Sequence, residues 1–177
     1  MLFRSLIEDV FVGRPRSVRR TSAEEVRARL TGTTAIAAER RGKYLLCPLD
    51  SGDVMMVHLR MSGQLLVDRV GSPRPLHTHV ALRIAGGDEL RFVDPRTFGE
   101  VVVYDPTAEP TVVPDVRSLG VDPIADELTI AELRRILRST KRAVKTVLLD
   151  QHLVAGIGRS EEHTSELQSR VDISYAV

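Results

Sequence analysis

Alternating hydrophobic and polar residues run through much of the first hundred positions, a pattern typical of β-strands. The second half of the segment 54–61 alternates in this way. The pattern predicts a strand with His58 and Arg60 on its polar face. The apolar face of that strand carries Val57, Leu59 and Met61. Two further alternating segments flank the Gly86-Gly87 pair, which predicts a hairpin turn between two strands.

Two more elements are predicted before residue 105. Residues 101–104 form an apolar run that predicts a buried strand. Residues 22–30 predict a helix, because Thr21 or Ser22 can cap its start and Gly32 follows its end. The region is therefore expected to be mainly β with a flanking helix.

The second half of the chain follows a different pattern. Residues 106–128 combine four prolines with acidic residues and predict a linker. Thr129 can then cap a helix whose apolar stripe carries Ile130, Leu133, Ile136 and Leu137. A second helix is predicted from about Lys141, and it leads into a tight turn at Gly156-Ile157-Gly158. Its apolar positions are Val144, Val147 and Leu148.

The two ends of the chain differ in character from the rest. Residues 159–177 are polar and fit neither the helical nor the strand period. Back-translation of residues 159–169 permits a nucleotide string that resembles a common sequencing adapter, and residues 1–5 permit one that resembles its partner. We therefore expect five segments. They are an adapter-derived start (1–5), an incomplete β-domain (6–105), the linker (106–128), the start of a helical domain (129–158) and an adapter-derived tail (159–177).

The charges are distributed unevenly, although the net charge is only +1. Residues 1–45 hold ten basic and five acidic side chains, which gives +5, whereas residues 106–128 hold one basic and five acidic side chains, which gives −4. A basic front half suggests a polyanionic partner, and a solvated charged surface is the alternative. The single cysteine, Cys47, excludes a disulfide framework or a Cys-rich zinc site within this chain.

No apolar stretch approaches the roughly 18 residues of a membrane-spanning helix, and the start of the chain does not resemble a secretory signal. The composition therefore indicates a cytoplasmic protein without a membrane partner.

Several short motifs have side chains suited to binding a nucleic acid. Residues 40–46 place Arg40, Arg41 and Lys43 around a glycine before an apolar strand, where a lysine can reach a phosphate. The alternative is an edge strand protected by charge. Met61 precedes a Ser-Gly turn, so it is either part of the core or a soft wedge at a binding surface.

The run 92–99 is the most suggestive of these motifs. Asp94-Pro95 begins a turn, Gly99 closes it, and Arg96 and Phe98 point the same way. An arginine can bind a base edge, and a phenylalanine can fill an unstacked gap in a duplex. The alternative is a Phe98 anchored in the core with Arg96 paired to Asp94.

Histidines and lysines supply weaker signals. His77 and His79 lie two apart, which puts them on one face of a strand, and hydrogen bonding to phosphate or backbone is favoured over a metal site. Lys141 and Lys145 share a helix face at i, i+4. The 156–158 turn is suited to presenting N–H groups to a phosphate.

Taken together, these motifs resemble the formamidopyrimidine-DNA glycosylase and endonuclease VIII family of base-excision repair enzymes. The motifs that carry the resemblance are RRGKYLL (40–46), VHLRMSGQL (57–65), HTHVALRI (77–84), ELRFVDPRTFGEV (89–101), SLGVDP (118–123) and KRAVKTVLLDQHLVAGIG (141–158). The GQL and DPRTFG segments within these motifs favour formamidopyrimidine-DNA glycosylase over endonuclease VIII. The resemblance implies a two-layer β-sandwich followed by a truncated helix–two-turn–helix segment.

The resemblance also implies roles for individual residues. Lys43 matches the lysine that contacts phosphate and donates a proton during strand cleavage. Met61, Arg96 and Phe98 match the side chains that enter the duplex where a damaged base is flipped out. The matches to DNA-backbone contacts are His77, Lys145 and Lys141, and Arg40 and Arg41 are expected to add to DNA binding.

The chain departs from the family pattern at its start. The family begins with Pro-Glu, whose proline amine is the nucleophile and whose Glu is the acid, whereas this chain begins Met1-Leu2-Phe3. Arg159 stands where the family has an asparagine that contacts phosphate. The rest of the helical module and a four-cysteine zinc finger are also missing. This chain is therefore expected to be catalytically inactive and to bind no cofactor.

The resemblance implies a parent protein that is a bifunctional glycosylase and lyase for oxidised purines in damaged double-stranded DNA. That parent would be a bacterial, nucleoid-associated monomer with a structural zinc. Two alternatives remain open, an endonuclease VIII-type enzyme for oxidised pyrimidines and a non-catalytic nucleic-acid-binding module.

Overall fold

The computed structural model of the chain describes residues 4–159, and the expected adapter-derived tail lies almost wholly outside them. The chain divides into two compact units. Within the described residues, unit 1 comprises residues 4–40 and 44–114, and unit 2 comprises residues 41–43 and 115–159. No helix in the described part of the chain has the length and apolarity needed to cross a membrane.

Among the described residues, eight strands form two four-stranded antiparallel sheets. The strands are β1 (Ile7–Val12), β2 (Glu39–Arg41), β3 (Tyr44–Pro48), β4 (Val54–His58), β5 (Gln64–Arg69), β6 (Thr78–Ile84), β7 (Asp88–Val93) and β8 (Glu100–Tyr104). One sheet has the order β1-β6-β7-β5 and the other the order β2-β3-β4-β8. Their apolar residues pack into a shared core, which confirms the mainly β fold.

The core lies between the two sheets. Val10 and Leu82 enter it from one sheet, and Met55, Val57 and Val103 enter it from the other. β8 is buried at every position, as its apolar run predicts. The predicted hairpin is also confirmed, because β6 and β7 pair antiparallel across Gly86 and Gly87, both of which have positive φ.

The flanking helix is confirmed as α1 (Ala23–Leu30). Ser22 caps it, since its hydroxyl accepts a 3.0 Å hydrogen bond from the Glu25 N–H. Val26 and Leu30 of this helix are fully buried in the core of unit 1.

The alternation over residues 54–61 does not continue as a strand. β4 ends at His58, and Arg60 adopts a left-handed φ of +53° that turns the chain away from the sheet. His58 is buried rather than on a polar face, and its ring contacts Tyr44 edge-on at 4.4 Å. β4 is buried on both faces, since Met55 and Val57 enter the core and the alternate residues Met56 and His58 are buried as well.

The segment predicted as a linker carries short helical turns. They are a 3-10 turn (Pro106–Ala108), α2 (Glu109–Val112) and α3 (Pro114–Arg117). Proline fits the first turn of a helix, where its missing N–H leaves no bond unmade, so the prolines start these turns instead of preventing them. The boundary between the two units falls inside this segment.

Unit 2 contains α4 (Ile130–Arg138) and α5 (Val144–Leu149). Thr129 caps α4 as predicted, because its hydroxyl accepts a hydrogen bond from the Glu132 N–H. Ile136 and Val147 are buried in the apolar cluster of this unit. Ile130 is instead exposed, so the predicted apolar stripe holds only in part.

The second helix does not begin near Lys141 as predicted. The Arg142 N–H donates to the Thr140 hydroxyl and not to a helical carbonyl. The ψ angle of Ala143 is that of an extended chain, so the helix begins only at Val144. Lys141 therefore does not share a helix face with Lys145. The assignment of α4 and α5 to a helix–two-turn–helix module stays a prediction.

Candidate nucleic-acid interface

Met61 lies on an exposed turn between β4 and β5. The Gly63 N–H donates a 2.9 Å hydrogen bond to the Leu59 carbonyl, which closes the turn over residues 59–63. A Cβ at Gly63 would lie 2.4 Å from that carbonyl oxygen, so the turn requires glycine. Met61 is 72% exposed. The expectation that it lies on an apolar strand face is wrong, since the strand has already ended.

A second turn, residues 94–99, connects β7 to β8. One oxygen of the Asp94 carboxylate accepts a 2.7 Å hydrogen bond from the Gly99 N–H, and the Asp94 carbonyl accepts one from Thr97. A Cβ at Gly99 would lie 2.6 Å from Phe92 Cζ and 2.9 Å from the His58 carbonyl oxygen. The turn therefore lies directly against β7 and the end of β4, with no room for a side chain at Gly99.

Arg96 and Phe98 project together from this second turn. The Arg96 guanidinium carbon lies 5.1 Å from the centroid of the Phe98 ring, within the range of a cation–π interaction. Phe98 is 43% exposed, so it is not anchored in the core. Asp94 accepts its hydrogen bond from the Arg96 backbone N–H, which contrasts with the alternative of an Arg96–Asp94 ion pair.

Ser62 ties the two turns together. Its hydroxyl donates a 2.5 Å hydrogen bond to Asp94 Oδ1, and the Arg96 N–H donates to the Ser62 oxygen at 3.3 Å. Met61 therefore lies next to a residue that is bonded directly to the turn of Arg96 and Phe98. We call residues 59–63 and 94–99 the wedge turns.

Asp94 is buried but remains a carboxylate. Burial acts to raise the pKa of its carboxyl group, but the hydrogen bonds from Ser62 and from the Gly99, Arg96 and Phe98 backbones outweigh it and hold the pKa below its ordinary value. The negative charge is therefore available to orient these donors at neutral pH.

The two histidines occupy different environments. His79 is buried, and its Nε2 lies 2.8 Å from the Asp94 carbonyl oxygen, so this nitrogen donates the bond. His77 precedes β6, has a φ of +68° and is exposed. The two rings still meet edge-on, with centroids 6.3 Å apart, so the imidazoles lie close together as expected, although His77 lies outside the strand. Within residues 4–159, no three His, Cys, Asp or Glu side chains are placed to hold a metal ion, so these residues do not fit a zinc site.

A buried carboxylate missed by the sequence analysis lies directly after the second wedge turn. Glu100 is fully buried and forms ion pairs with Arg20 at 2.9 Å, Arg60 at 3.2 Å and Arg19 at 3.6 Å. Burial alone would raise the pKa of Glu100, but these guanidinium groups lower it overall. We call these four residues the Glu100 cluster. In the sequence, the signal for this buried carboxylate is a single acidic residue directly before the apolar run 101–104.

In unit 2, Lys43 lies at the tip of the hairpin between β2 and β3. Its Nζ donates a 2.8 Å hydrogen bond to the Ile157 carbonyl oxygen. The Gly42 N–H donates to the buried Asp122 carboxylate at 2.7 Å, and Gly42 has a positive φ of +59°. The structure thus joins Lys43 to the 156–158 turn, which the sequence analysis treated as separate motifs.

Gln151, which the sequence analysis did not single out, supports the same turn. Its side-chain amide donates to the Ile157 carbonyl and its amide oxygen accepts from the Gly156 N–H. Ile157 O therefore accepts from both Gln151 and Lys43. The other basic residues predicted for DNA contact are exposed, namely Arg40, Arg41, Lys141 and Lys145.

Comparison with known proteins identifies relatives of this chain. The sequence profile of the formamidopyrimidine-DNA glycosylase N-terminal domain matches residues 1–101. A formamidopyrimidine-DNA glycosylase of Salinispora arenicola is 44% identical over 156 residues, covering 86% of this chain and 53% of the relative. One of Moorella thermoacetica is 43% identical over 129 residues, covering 73% of this chain and 47% of the relative.

Solved structures show the same similarity. A Lactococcus lactis enzyme of this name, in complex with DNA that contains FAPY-dG, superposes with a TM-score of 0.77 at 29% identity. That match covers 89% of this chain and 58% of the solved chain. The chain thus spans about half the length of the curated relatives it matches. Because the family profile covers more than half of its residues, the chain belongs to the formamidopyrimidine-DNA glycosylase family.

Proposed function

We propose that the wedge turns fill the gap that is left in a DNA duplex when a damaged nucleotide is extruded. The observation that carries this proposal is the joint exposure of Met61, Arg96 and Phe98 on two turns linked by the Ser62–Asp94 hydrogen bond. The Lactococcus lactis relatives were solved with DNA containing FAPY-dG or an abasic site, which supports damaged double-stranded DNA as the partner.

Unstacking and unpairing a nucleotide costs a few kcal/mol, and an apolar side chain inserted into the vacated space offsets part of that cost. Phe98 and Met61 supply apolar surface for this purpose. Arg96 supplies donors that can bind the base left without its partner. Because the turns are held by buried hydrogen bonds, little ordering is needed upon insertion.

Basic side chains supply the phosphate contacts in this proposal. Arg40, Arg41 and Lys43 cluster around the hairpin tip, Lys145 is exposed on α5, and Lys141 is exposed before that helix. In unit 1, His77 is exposed directly before β6. Such contacts make binding dependent on salt but not on base sequence.

We propose that the whole protein removes oxidised purines and cleaves the strand by β-elimination. In that reaction Lys43 donates a proton. The Schiff base is formed by the amine of the proline with which members of the family begin. For the whole protein we propose a zinc outside residues 4–159, a monomeric state and a bacterial cytoplasmic, nucleoid-associated location.

Binding of the full chain to two matched duplexes tests the role of the wedge turns. One duplex is intact and the other carries a tetrahydrofuran analogue of an abasic site, and binding is followed by fluorescence anisotropy. The wild-type chain should prefer the tetrahydrofuran duplex, and Phe98→Ala should lose about tenfold of that preference.

Phe11→Ala is the matched control for this experiment. Phe11 is also a partly exposed phenylalanine with a guanidinium over its ring, that of Arg74 at 4.2 Å, but it lies on β1 outside the wedge turns. The control should keep the wild-type preference. Equal affinity of the wild-type chain for both duplexes would overturn the proposed function.

A further inference from the structure

We infer that Glu100 is a positioning residue that holds both wedge turns in the geometry needed for insertion. The inference rests on the proposed function of those turns, and it assigns a role to a buried side chain that is itself too deep to touch DNA. Its basis is the arrangement of the Glu100 cluster, in which one carboxylate binds arginines from different parts of unit 1.

Arg60 connects Glu100 to the first wedge turn. Its guanidinium donates to Glu100 Oε1 at 3.2 Å, and it directly precedes Met61. The Arg60 backbone has a φ of +53°, and its N–H donates to His58 Nδ1 at 2.9 Å. Both the side chain and the backbone of Arg60 are therefore fixed, which sets the direction in which the chain presents Met61.

Arg19 connects Glu100 to the second wedge turn. Its guanidinium lies 3.6 Å from Glu100 Oε2, and it also donates to the Phe98 carbonyl oxygen at 3.4 Å. Glu100 itself is the next residue after Gly99, the residue that closes the turn. The backbone on both sides of Gly99 is thus held to the same carboxylate.

Arg20 anchors the carboxylate to the body of unit 1. It donates to both carboxylate oxygens, from Nε at 2.9 Å and from Nη2 at 3.3 Å, and it also donates to the Val112 carbonyl at 2.9 Å. Such a two-point bond between guanidinium and carboxylate fixes orientation as well as distance. The anchor explains why Glu100 can act as a fixed point for the other two arginines.

A negative charge is essential to this arrangement. Replacing the carboxylate by a neutral amide leaves three guanidinium groups around an uncharged side chain, and the amide nitrogen cannot accept their hydrogen bonds. Arg60 and Arg19 are the more exposed partners, so they are expected to move toward solvent and release the wedge turns. Phosphate contacts do not involve these residues in the proposed function, so non-specific DNA affinity should stay nearly unchanged.

The experiment compares Glu100→Gln with Glu89→Gln in the full chain. Glu89 is the matched control, because it is also buried and also binds two arginines, Arg74 at 2.7 Å and Arg91 at 2.6 Å, on the other sheet. The probe is a duplex with a tetrahydrofuran site and 2-aminopurine in the adjacent pair, whose fluorescence reports insertion of a side chain into the stack. Anisotropy of an intact duplex measures non-specific binding in parallel.

Glu100→Gln should lose the 2-aminopurine response and about tenfold of the preference for the tetrahydrofuran duplex, while its affinity for the intact duplex changes less than about twofold. Glu89→Gln should retain the wild-type response and preference. If Glu100 only stabilised the fold, Glu100→Gln and Glu89→Gln would both lower thermal stability. Their 2-aminopurine responses would then not differ. Equal responses of the two variants would overturn the positioning role.

Arg60→Asn provides a second test in case Glu100→Gln does not fold. Asparagine tolerates the left-handed backbone of this position, so the substitution removes only the guanidinium. It should weaken the 2-aminopurine response in the same direction, and an unchanged response would overturn the inference. If the wild-type chain gives no response at all, the proposed function fails. A wild-type response with unaffected variants refutes the positioning role alone.

Discussion

The Ser62 hydroxyl donates a 2.5 Å hydrogen bond to Asp94 Oδ1, and this bond joins the turn of Met61 to the turn of Arg96 and Phe98. The two residues are 32 positions apart, and the bond links the turn between β4 and β5 to the residue that follows β7. Because Asp94 is fully buried, its hydrogen-bond partners cannot be replaced by water without a rearrangement of the turn.

Ser62→Ala should destabilise the chain by about 1–3 kcal/mol, because a buried carboxylate loses a donor. Urea unfolding followed by circular dichroism measures this loss. Ser17→Ala is the control, since the buried Ser17 hydroxyl has no hydrogen-bond partner among the described residues. That substitution should be neutral or slightly stabilising, and equal losses for both variants would contradict the account of the wedge turns.

Gly99→Ala should cost more than an ordinary glycine substitution. A Cβ there would lie 2.6 Å from Phe92 Cζ and 2.9 Å from the backbone of His58, so the second wedge turn must shift. We expect a loss of about 3 kcal/mol or more in the free energy of unfolding. Gly52→Ala has open space around it and a positive φ, so it should lose only about 1 kcal/mol. A smaller loss at Gly99 than at Gly52 would show that the turn is not tightly packed.

The stability of the chain should fall in acid because of Glu100. Its pKa is lower in the folded chain than the ordinary value of 4.5, so its contribution is complete above that value and is lost as the pH falls through the lowered pKa. The free energy of unfolding of wild type and of Glu100→Gln, measured from neutral pH to about pH 3, should differ most at neutral pH and converge in acid. A gap that does not narrow in acid would show that Glu100 does not carry a stabilising charge.

Lys43→Gln should weaken binding to intact and tetrahydrofuran duplexes by the same factor, because a phosphate contact carries no sequence information. The slope of log affinity against log salt concentration should fall by about 1. Arg83→Gln is the control, since it removes the same charge from β6, where Arg83 pairs with Glu8 at 3.3 Å. If both variants change the slope equally, Lys43 acts through net charge and not through a specific contact.

Local signals in the sequence predicted the elements whose ends are set by nearby residues. Ser22 and Thr129 cap helices through hydrogen bonds to residues three positions on, and Gly86-Gly87 closes a hairpin between adjacent strands. The exposed arrangement of Arg96 and Phe98 also followed from the Asp94 to Gly99 turn. These features depend on spacings that a sequence displays directly.

The features that were missed depend on residues far apart along the chain. Arg20 binds Glu100 across 80 positions, and Lys43 binds the Ile157 carbonyl across 114. The left-handed backbone of Arg60 ended β4 early, although the residue pattern continued to alternate. The alternation of hydrophobic and polar residues indicates which side of a strand is buried. It does not show where contacts with distant residues bring the strand to its end.

The methyl signal of Met61 tests the central claim most directly. The chain is labelled with ¹³C at its methionine methyl groups, and Met61→Leu assigns the signal. Met55 and Met56 are buried in β4 and serve as internal controls. On addition of a tetrahydrofuran duplex, the Met61 signal should move upfield through the ring currents of the neighbouring bases, whereas an intact duplex should leave it nearly unchanged. A Met61 signal that does not move, or that moves equally with both duplexes, would contradict the insertion of the wedge turns.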